Sequence, residues 1–577
     1  MNTVASATAR LLADAGINRV FGLPGGEVLV LMDELRRAGV DFVLMRHEAN
    51  AGIAAAVYGK LRGQPGVVLT TLGPGAANLM LPLSSSYLDQ EPLLAISAQI
   101  PDDFPASHTH QLLPLHDIYR PVTKYVAAIT GQNVNDVVPR ALEACMARPF
   151  GAAYLTLSAR EALKPVASVA TVAQGFSPAI AGLKGRTAAV PTVARSGTPV
   201  AHGGTPVAQG FSPAIAGLKG RTAQIHRQGD PREKVREIVG LLGNARRPLV
   251  VIGLGIDPIN ATRIRQWLND WNLPVAVTPK VKGIVDETAA NFVGVVSGMA
   301  ADDVMCDALA AADLLIGFGL DPVEVDKTWH AELPIHWILE RPNVGGIIPE
   351  GTSLVDHREF LDTIVNTGPP STWQAPFAAF QERRRAKLND RSGSLDVMWP
   401  GDIIGALSAA LPPETIVTTD VGSHKYLFGQ YWPSRQPETF WMSNGLSGMG
   451  YGLSAAIGAK LARPDAPVLA AVGDGGFSMN AQELETAERV GAPFITVVLE
   501  DASYSLIKLS QEGKKLEPYR VDLTPIDTVK MAEACGVDAL RTTDPAELAR
   551  AAKQAVERRR SLVIGIPVNY ADYRRLF

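Results

Sequence analysis

The 577-residue sequence is poor in the features that mark several large protein classes. It has three cysteines, Cys145, Cys306 and Cys535, far apart and never in a C-x-x-C pair. Such spacing supports neither a disulfide framework nor a structural zinc site, and it suits a reducing compartment. No stretch approaches the roughly 18 to 20 uninterrupted apolar residues that a membrane-crossing helix needs. The opening MNTVASATARLLADAGINRV carries charges where a signal peptide would need an apolar core, so it reads as an amphipathic helix of a cytoplasmic protein. Neither sign of charge dominates, with 54 Lys+Arg against 58 Asp+Glu. Nothing electrostatic therefore calls for nucleic acid or an anionic membrane as partner, and the expected ligand is a small molecule.

What the chain has is apolar material, 46% of its residues, and a length that calls for several cores rather than one. Residues 18 to 97 alternate short apolar runs (NRVFGL, DFVLM, GVVLTT, PLLAIS) with helical patterns beginning near Val28, Glu48 and Ala76. This β-α-β order predicts a parallel sheet covered on both faces. The same grammar returns in PLVVIG, LPVAVT and DLLIGF, and again in ETIVTTD, APVLAAVGD, PFITVVLED and SLVIGIPV. The fold class is α/β, with three doubly wound parallel-sheet domains: 1–165, 229–365 and 396–577. A first linker, 166–228, repeats VAQGFSPAIAGLKGRTA identically at 172–188 and 207–223. Two copies with few large apolar residues do not make a solenoid, so the segment reads as a duplicated insert. A second linker, 366–395, runs from TGPPSTWQAP into the charged helix QERRRAKLNDRSG.

The most specific local signal is GDGGFSMNAQELETAERVGAPFITVVLEDAS at 473–503. Gly473, Gly475 and Gly476 follow a strand, in a run read as leading to a helix from about Asn480, so backbone N–H groups there can receive a phosphate. Alone, GDG is a common turn. Asp474 and Asp501, however, fall at the ends of two consecutive strands, and two carboxylates with phosphate oxygens and a carbonyl would suit magnesium.

These residues resemble the thiamine diphosphate-dependent enzymes of the acetolactate synthase and pyruvate decarboxylase group, whose signature is GDG, some two dozen residues, then an Asn pair. Here 24 residues separate Gly475 from Glu500, and Glu500-Asp501 replaces the Asn pair, as in catabolic acetolactate synthases, where the second position is Asp. The resemblance continues through FGLPGGEVLVLMDEL, RHEANAGIAAAVYGK, TLGPGAANL and RPVTK in the first domain. In the last it includes TDVGSH, NGLSGMGYGLSAAIGAKLARPDA and IPVNYADYRRL. The insert at 166–225 has no counterpart in it.

The resemblance implies thiamine diphosphate and Mg²⁺, with pyrimidine-binding, central and diphosphate-binding domains. Asp474, Asp501 and the Ser503 carbonyl would hold the metal, and Gly473, Gly475 and Gly476 would border the diphosphate. Ser423 and His424 would meet the terminal phosphate, where the family commonly has Gln-His. Met449 would wedge the cofactor into its bent form, and the Ser447 carbonyl, where the family often has Gly, would accept from its amino group. Glu48, which by spacing alone would be a helix-dipole partner, would instead hydrogen-bond a pyrimidine nitrogen so that the amino group can deprotonate the thiazolium carbon. The loop with Gly26 would border the substrate and that with Thr71 would support the pyrimidine. Gln111 matches the Gln of a Phe-Gln-Glu stretch whose neighbours here are His110 and Leu112. His108, His110 and His116 read as a polar loop rather than a zinc site, and Lys124 as a surface charge rather than a Schiff-base amine.

The function implied is that of a carboligase: pyruvate is decarboxylated and its two-carbon unit passes to a second carbonyl, of a 2-oxoacid or an aldehyde. A 2-oxoacid decarboxylase, or a lyase acting on 2-hydroxyacyl thioesters, is the alternative, and a non-enzymatic binding protein of the same fold a third reading. SYSLIKLSQEGKK and IPVNYADYRRL resemble the catabolic enzymes more than the flavin-binding biosynthetic ones, so FAD would be dispensable. Ser510 stands where a Gln is expected after SYSLI. The family implies a homodimer or homotetramer, with Glu48 and the metal loop of one site drawn from different chains.

Overall fold

The computed structural model describes residues 2–101, 104–105, 107, 109–167, 230–296, 298–324, 333–343, 346, 348–373, 377–391 and 397–576. The duplicated insert lies outside the described residues.

The first sheet is built from β1 (Arg19–Gly22), β2 (Asp41–Leu44), β3 (Gly66–Thr70), β4 (Leu93–Gln99), β5 (Tyr125–Ala128) and β6 (Ala152–Ser158). The second contains β7 (Pro248–Ile252), β8 (Val275–Val277), β9 (Phe292–Val295), β10 (Leu314–Phe318), β11 (Ile335–Leu339) and β12 (Ser353–Leu354). The third contains β13 (Ile416–Thr419), β14 (Phe440–Met442), β15 (Val468–Gly473), β16 (Ile495–Glu500), β17 (Asp538–Arg541) and β18 (Leu562–Pro567). Every pairing is parallel, and the central strands are buried along their length, as the unbroken apolar runs require.

The first and third sheets share one strand order, β2-β1-β3-β4-β6-β5 and β14-β13-β15-β16-β18-β17. In each, the strand order reverses beside the first strand, which opens a crevice at the carboxyl ends of β1 and β3, and of β13 and β15. The helices that follow the matching edge strands, Glu48–Arg62 and Tyr451–Ala462, are apolar almost all round and buried. Such helices need a partner on every side, and these two pack on each other. A Cβ on Gly458 would lie 2.2 Å from the Ala54 carbonyl oxygen, so only glycine permits this approach. One hydrophobic cluster accordingly runs from Phe21 and Tyr58 through to Tyr451 and Phe477 without a break between the first and last sheets.

Several local readings shift. Thr3 and Ser6 form a capping box that starts the first helix, Val4–Asp14. The helix after β1 opens with a short 3₁₀ turn at Gly26–Val28. The GDG run is itself helical, Asp474–Asn480, with a second helix at Glu483–Arg489, so the helix starts six residues earlier than the sequence suggested. The charged helix expected in the second linker is present as Ala378–Asn389, and its Arg384 is buried and donates to the Gln430 carbonyl.

Candidate functional site

In the N-terminal crevice the loops after β1, β2 and β3 converge. His47 caps the helix Glu48–Arg62, its ring nitrogen accepting from the Ala49 N–H, and this leaves Glu48 as first helical residue at the crevice floor. The half-buried Glu48 carboxylate accepts from Asn78 Nδ2 at 2.9 Å. It also lies 3.3 Å from where a Cβ on Gly75 would stand. Thr71 packs against Gly25 and donates to Glu27 Oε2 at 2.6 Å, which joins the loop of Gly26 to that of Thr71. Gln111, exposed and in the left-handed region at φ +58, lies over Gly73. Glu48, Thr71 and Gln111, far apart in sequence, thus share one pocket rim. Glu27 and Asn78 belong to it as well; both stood inside quoted motifs, but only the fold shows what they bond.

The histidine loop divides. His116 Nε2 bonds Thr156 Oγ1 at 2.9 Å, His110 is exposed, and His108 lies outside the described residues. Lys124 differs from the surface charge expected: its ammonium donates to the Ala147 and Pro149 carbonyls, and burial lowers it to about 8. Its hydrogens serve the carbonyls that follow the helix Val134–Met146.

The C-terminal crevice is richer in charge. Asp474 and Asp501 stand at the carboxyl ends of the adjacent strands β15 and β16. Asp474 accepts from the Gly475 N–H at 2.8 Å and the Ala502 N–H at 2.7 Å, while Asp501 accepts from the Ser503 N–H at 3.1 Å. Burial pushes both carboxyl groups up, and the neighbouring Asp474 helps take Asp501 to about 7. Two acids so placed favour a cation or a proton between them. Glu500 does not join them. As the last residue of β16 it faces the other side of the sheet, bound to Thr528 and to Arg541 Nε at 2.7 Å. Successive strand residues point oppositely, so Glu500 and Asp501 could not both face the crevice.

Ser423 Oγ lies 2.8 Å from Ser505 Oγ, which in turn bonds Asp501. The His424 ring packs 3.1 Å from where a Cβ of Gly473 would sit. Burial lowers that imidazole to about 3, and its Nε2 is buried without a hydrogen-bond partner among the described residues. Asp420, one strand over, likewise has an unpartnered buried oxygen, Oδ2, and burial raises it to about 6. A Cβ on Gly476 would fall 1.9 Å from that oxygen, so Gly476 makes room for Asp420, while Gly475 lies under the Tyr504 ring. Asp420 stands in the TDVGSH run, where a strand-end Asp has no spacing that sets it apart.

Ser447 and Met449 lie on the loop after β14. Ser447 is left-handed at φ +57, the conformation for which glycine is the usual residue, and its hydroxyl accepts from the buried Lys425 at 3.3 Å. Met449 is half-buried just before the helix Tyr451–Ala462. Ser503 bonds Val521 O through its hydroxyl.

Two buried carboxylates, unpartnered polar atoms on His424 and Asp420, and N–H groups at the start of the Asp474 helix form a donor set suited to a metal-bound diphosphate. Models of thiamine pyrophosphate enzymes match the chain in three places: the N-terminal TPP binding domain at residues 2–118, the central domain at 235–338 and the C-terminal TPP binding domain at 420–566. Similarity extends to an acetolactate synthase of Bacillus subtilis, 28% identical over 97% of this chain and 92% of the relative. A catabolic acetolactate synthase of Raoultella terrigena is 26% identical over 96% and 93%. A probable 2-ketoarginine decarboxylase of Pseudomonas aeruginosa is 28% identical over 95% and 91%.

Proposed function

We propose, because the chain belongs to the thiamine pyrophosphate enzymes and is acetolactate synthase-like, that it joins two carbonyl compounds, decarboxylating pyruvate and passing the two-carbon unit to a second 2-oxoacid or an aldehyde. The observation that carries the reading is the pair Asp474 and Asp501, buried on adjacent strand ends with their acidities weakened by burial and, at Asp501, by the neighbouring charge.

Asp474, Asp501 and the Ser503 carbonyl would hold Mg²⁺, which the diphosphate completes. Gly473, Gly475 and Gly476 would border that diphosphate, with Ser423 and the neutral His424 at its end. When bound, thiamine diphosphate supplies a nucleophilic thiazolium carbon and an electron sink for loss of carbon dioxide. Glu48 would hold a proton at the pyrimidine nitrogen, and Asn78 fixes the carboxylate that does so. The Ser447 carbonyl would orient the amino group, Met449 the angle between the rings, and Gln111 the substrate over Gly73. Thr71 and the Gly26 loop would close the pocket wall.

Among the described residues, every side-chain hydrogen bond of Glu48 stays in the first domain and every one of Asp474 in the last. This supports a site shared between two copies and a homodimer as the smallest active form. No helix among the described residues is long and apolar enough to cross a membrane. Flavin would be dispensable. In the central sheet, order β12-β11-β10-β7-β8-β9, a dinucleotide would use the loop after β7, and there the Glu324 carboxylate already takes the Leu254 N–H at 2.7 Å.

A decarboxylase is the second reading, favoured by the similarity to the probable 2-ketoarginine decarboxylase. Turnover of pyruvate with thiamine diphosphate and Mg²⁺, products identified by mass, separates the two. Acetolactate is expected; acetaldehyde as sole product would favour the decarboxylase, and no turnover would remove pyruvate as substrate. Glu48→Ala should keep cofactor binding but slow exchange of the thiazolium proton by about 10² to 10⁴-fold, the usual range for a lost acid-base group. Wild-type exchange in that variant would remove Glu48 from the mechanism.

A further inference from the structure

The first and third sheets exchange one contact in both directions. Asp89, which follows the helix Met80–Leu88 after β3, is buried, and its carboxylate crosses to the last domain. It accepts from the N–H groups of Asn444, at 3.2 Å, and Gly445, at 2.8 Å. Glu483, which follows the helix Asp474–Asn480 after β15, is fully buried and crosses the opposite way. It accepts from the N–H of Arg46 at 3.1 Å, from the N–H of His47, and from Asn50 Nδ2 at 2.9 Å. The registers agree. β2 ends at Leu44 and β14 at Met442, so each carboxylate takes the second and third N–H groups beyond the matching strand. Next after them come Glu48 on one side, and Leu446, Ser447 and Met449 on the other.

The two contacts differ in their countercharge. The Lys280 ammonium of the central domain bonds Glu91 at 2.9 Å and the Met442 carbonyl at 2.9 Å, and stands 3.9 Å from Asp89. Gln90, between the two acids, is left-handed at φ +53 and donates to Asp321 of the central domain at 2.8 Å. All three domains therefore converge on the start of the loop that carries Ser447. Among the described residues Glu483 has no such lysine; its charge is answered by N–H groups and by Thr486 Oγ1 at 2.8 Å. Buried carboxylates are retained where several donors meet them, and each of these spends donors from the opposite domain.

We propose that Asp89 and Glu483 are reciprocal positioning residues: each holds, from the other domain, the backbone turn that presents a cofactor-facing residue, Asp89 for the Ser447–Met449 loop and Glu483 for Glu48. This rests on the reading above for what the turns present, but not for the contacts themselves. The test uses the full-length protein and amide hydrogen exchange, with peptides covering 443–450 and 45–50. Asp89→Ala should speed exchange at least tenfold in 443–450 and leave 45–50 within twofold. Glu483→Ala should do the reverse, and Asp89→Asn, which keeps one acceptor oxygen, should fall between Asp89→Ala and wild type.

Calorimetry with Mg²⁺ then compares thiamine diphosphate with inorganic pyrophosphate, which probes only the Asp474 and Asp501 end. Asp89→Ala should weaken thiamine diphosphate at least tenfold and pyrophosphate less than twofold. Equal loosening of both peptides by either variant, or equal weakening of both ligands, would make these residues general domain glue and overturn the proposal. Unchanged exchange would overturn it also. A wild-type protein that binds neither ligand would defeat the functional reading alone, and the exchange pattern would still decide the positioning role.

Discussion

The first and last domains have the same strand order and the same crevice, yet hold opposite chemistry. The N-terminal crevice carries Glu48 beside Asn78, Thr71 and Gln111, a half-open polar rim whose second acid, Glu27, is engaged by Thr71. The C-terminal crevice carries Asp420, Asp474 and Asp501, all raised by burial, and a histidine kept neutral by it. The topology supplies the location, strand ends beside a reversal in order, and the loop residues supply the chemistry. In the function proposed above, one crevice would manage a proton and the other would take a cation with its anion.

That contrast is broken most severely at Asp501. Its folded-state pKa, about 7, lies above the ordinary aspartate value, so in the metal-free protein the proton is bound more tightly folded than unfolded. The stabilisation this gives is complete at low pH and is lost as pH rises through about 7. Magnesium needs the carboxylate, so metal and proton compete. Affinity for Mg²⁺ in the presence of thiamine diphosphate should fall by about tenfold for each pH unit below about 7 and level off above it. Asp501→Asn should lose at least about 100-fold of that affinity and its pH dependence together, read by calorimetry from pH 5.5 to 8.5. A flat profile in the wild type would mean that Asp501 does not bind the metal.

A smaller effect tests how the two domains are joined. The approach of the helices Glu48–Arg62 and Tyr451–Ala462 depends on Gly458, because a methyl group there would meet the Ala54 carbonyl oxygen. Gly458→Ala should force the helices apart at a cost of about 1–3 kcal/mol, seen as a lower denaturation midpoint. A midpoint equal to that of wild type would show that the helices can separate freely.

Much of this was legible in the sequence where residues are local and patterned. Buried central strands such as GVVLT and VLAAVG declare themselves by unbroken apolar runs, and Glu48 opens the helix expected of it. Strands β5, β6, β9, β11, β12, β14 and β17 are not among the apolar runs picked out: most are two to five residues long and β5 and β17 are incompletely buried, but β6 is seven residues long and buried throughout, so length and apolarity do not explain its absence. The helix at Asp474 was placed too late because its glycines argue against helix locally, whereas Asp420 and Tyr504 packing against them holds the turn. Asp89 and Glu483 were not visible at all, since each acts on backbone more than 350 residues away. Side-chain to backbone contacts across domains leave no periodic trace.

The smallest predicted effect concerns the neighbour of Asp501. In the sequence, Glu500-Asp501 stands in place of the Asn pair. In the structure the Glu500 carboxylate is turned from the crevice and engaged by Thr528 and Arg541. It still adds negative potential at Asp474, raising that acid slightly alongside the larger effect of burial. The exposed Arg541 guanidinium pairs with the largely buried Glu500 carboxylate and offsets part of that charge. Glu500→Gln should therefore change magnesium affinity by no more than about twofold, within what a distant, partly neutralised charge can do. It should also leave the pH dependence centred on Asp501 unmoved. A loss as large as that of Asp501→Asn would mean that Glu500 rotates into the crevice when the metal binds. The opposition between a metal-facing and a sheet-facing acid at the end of β16 would then fail.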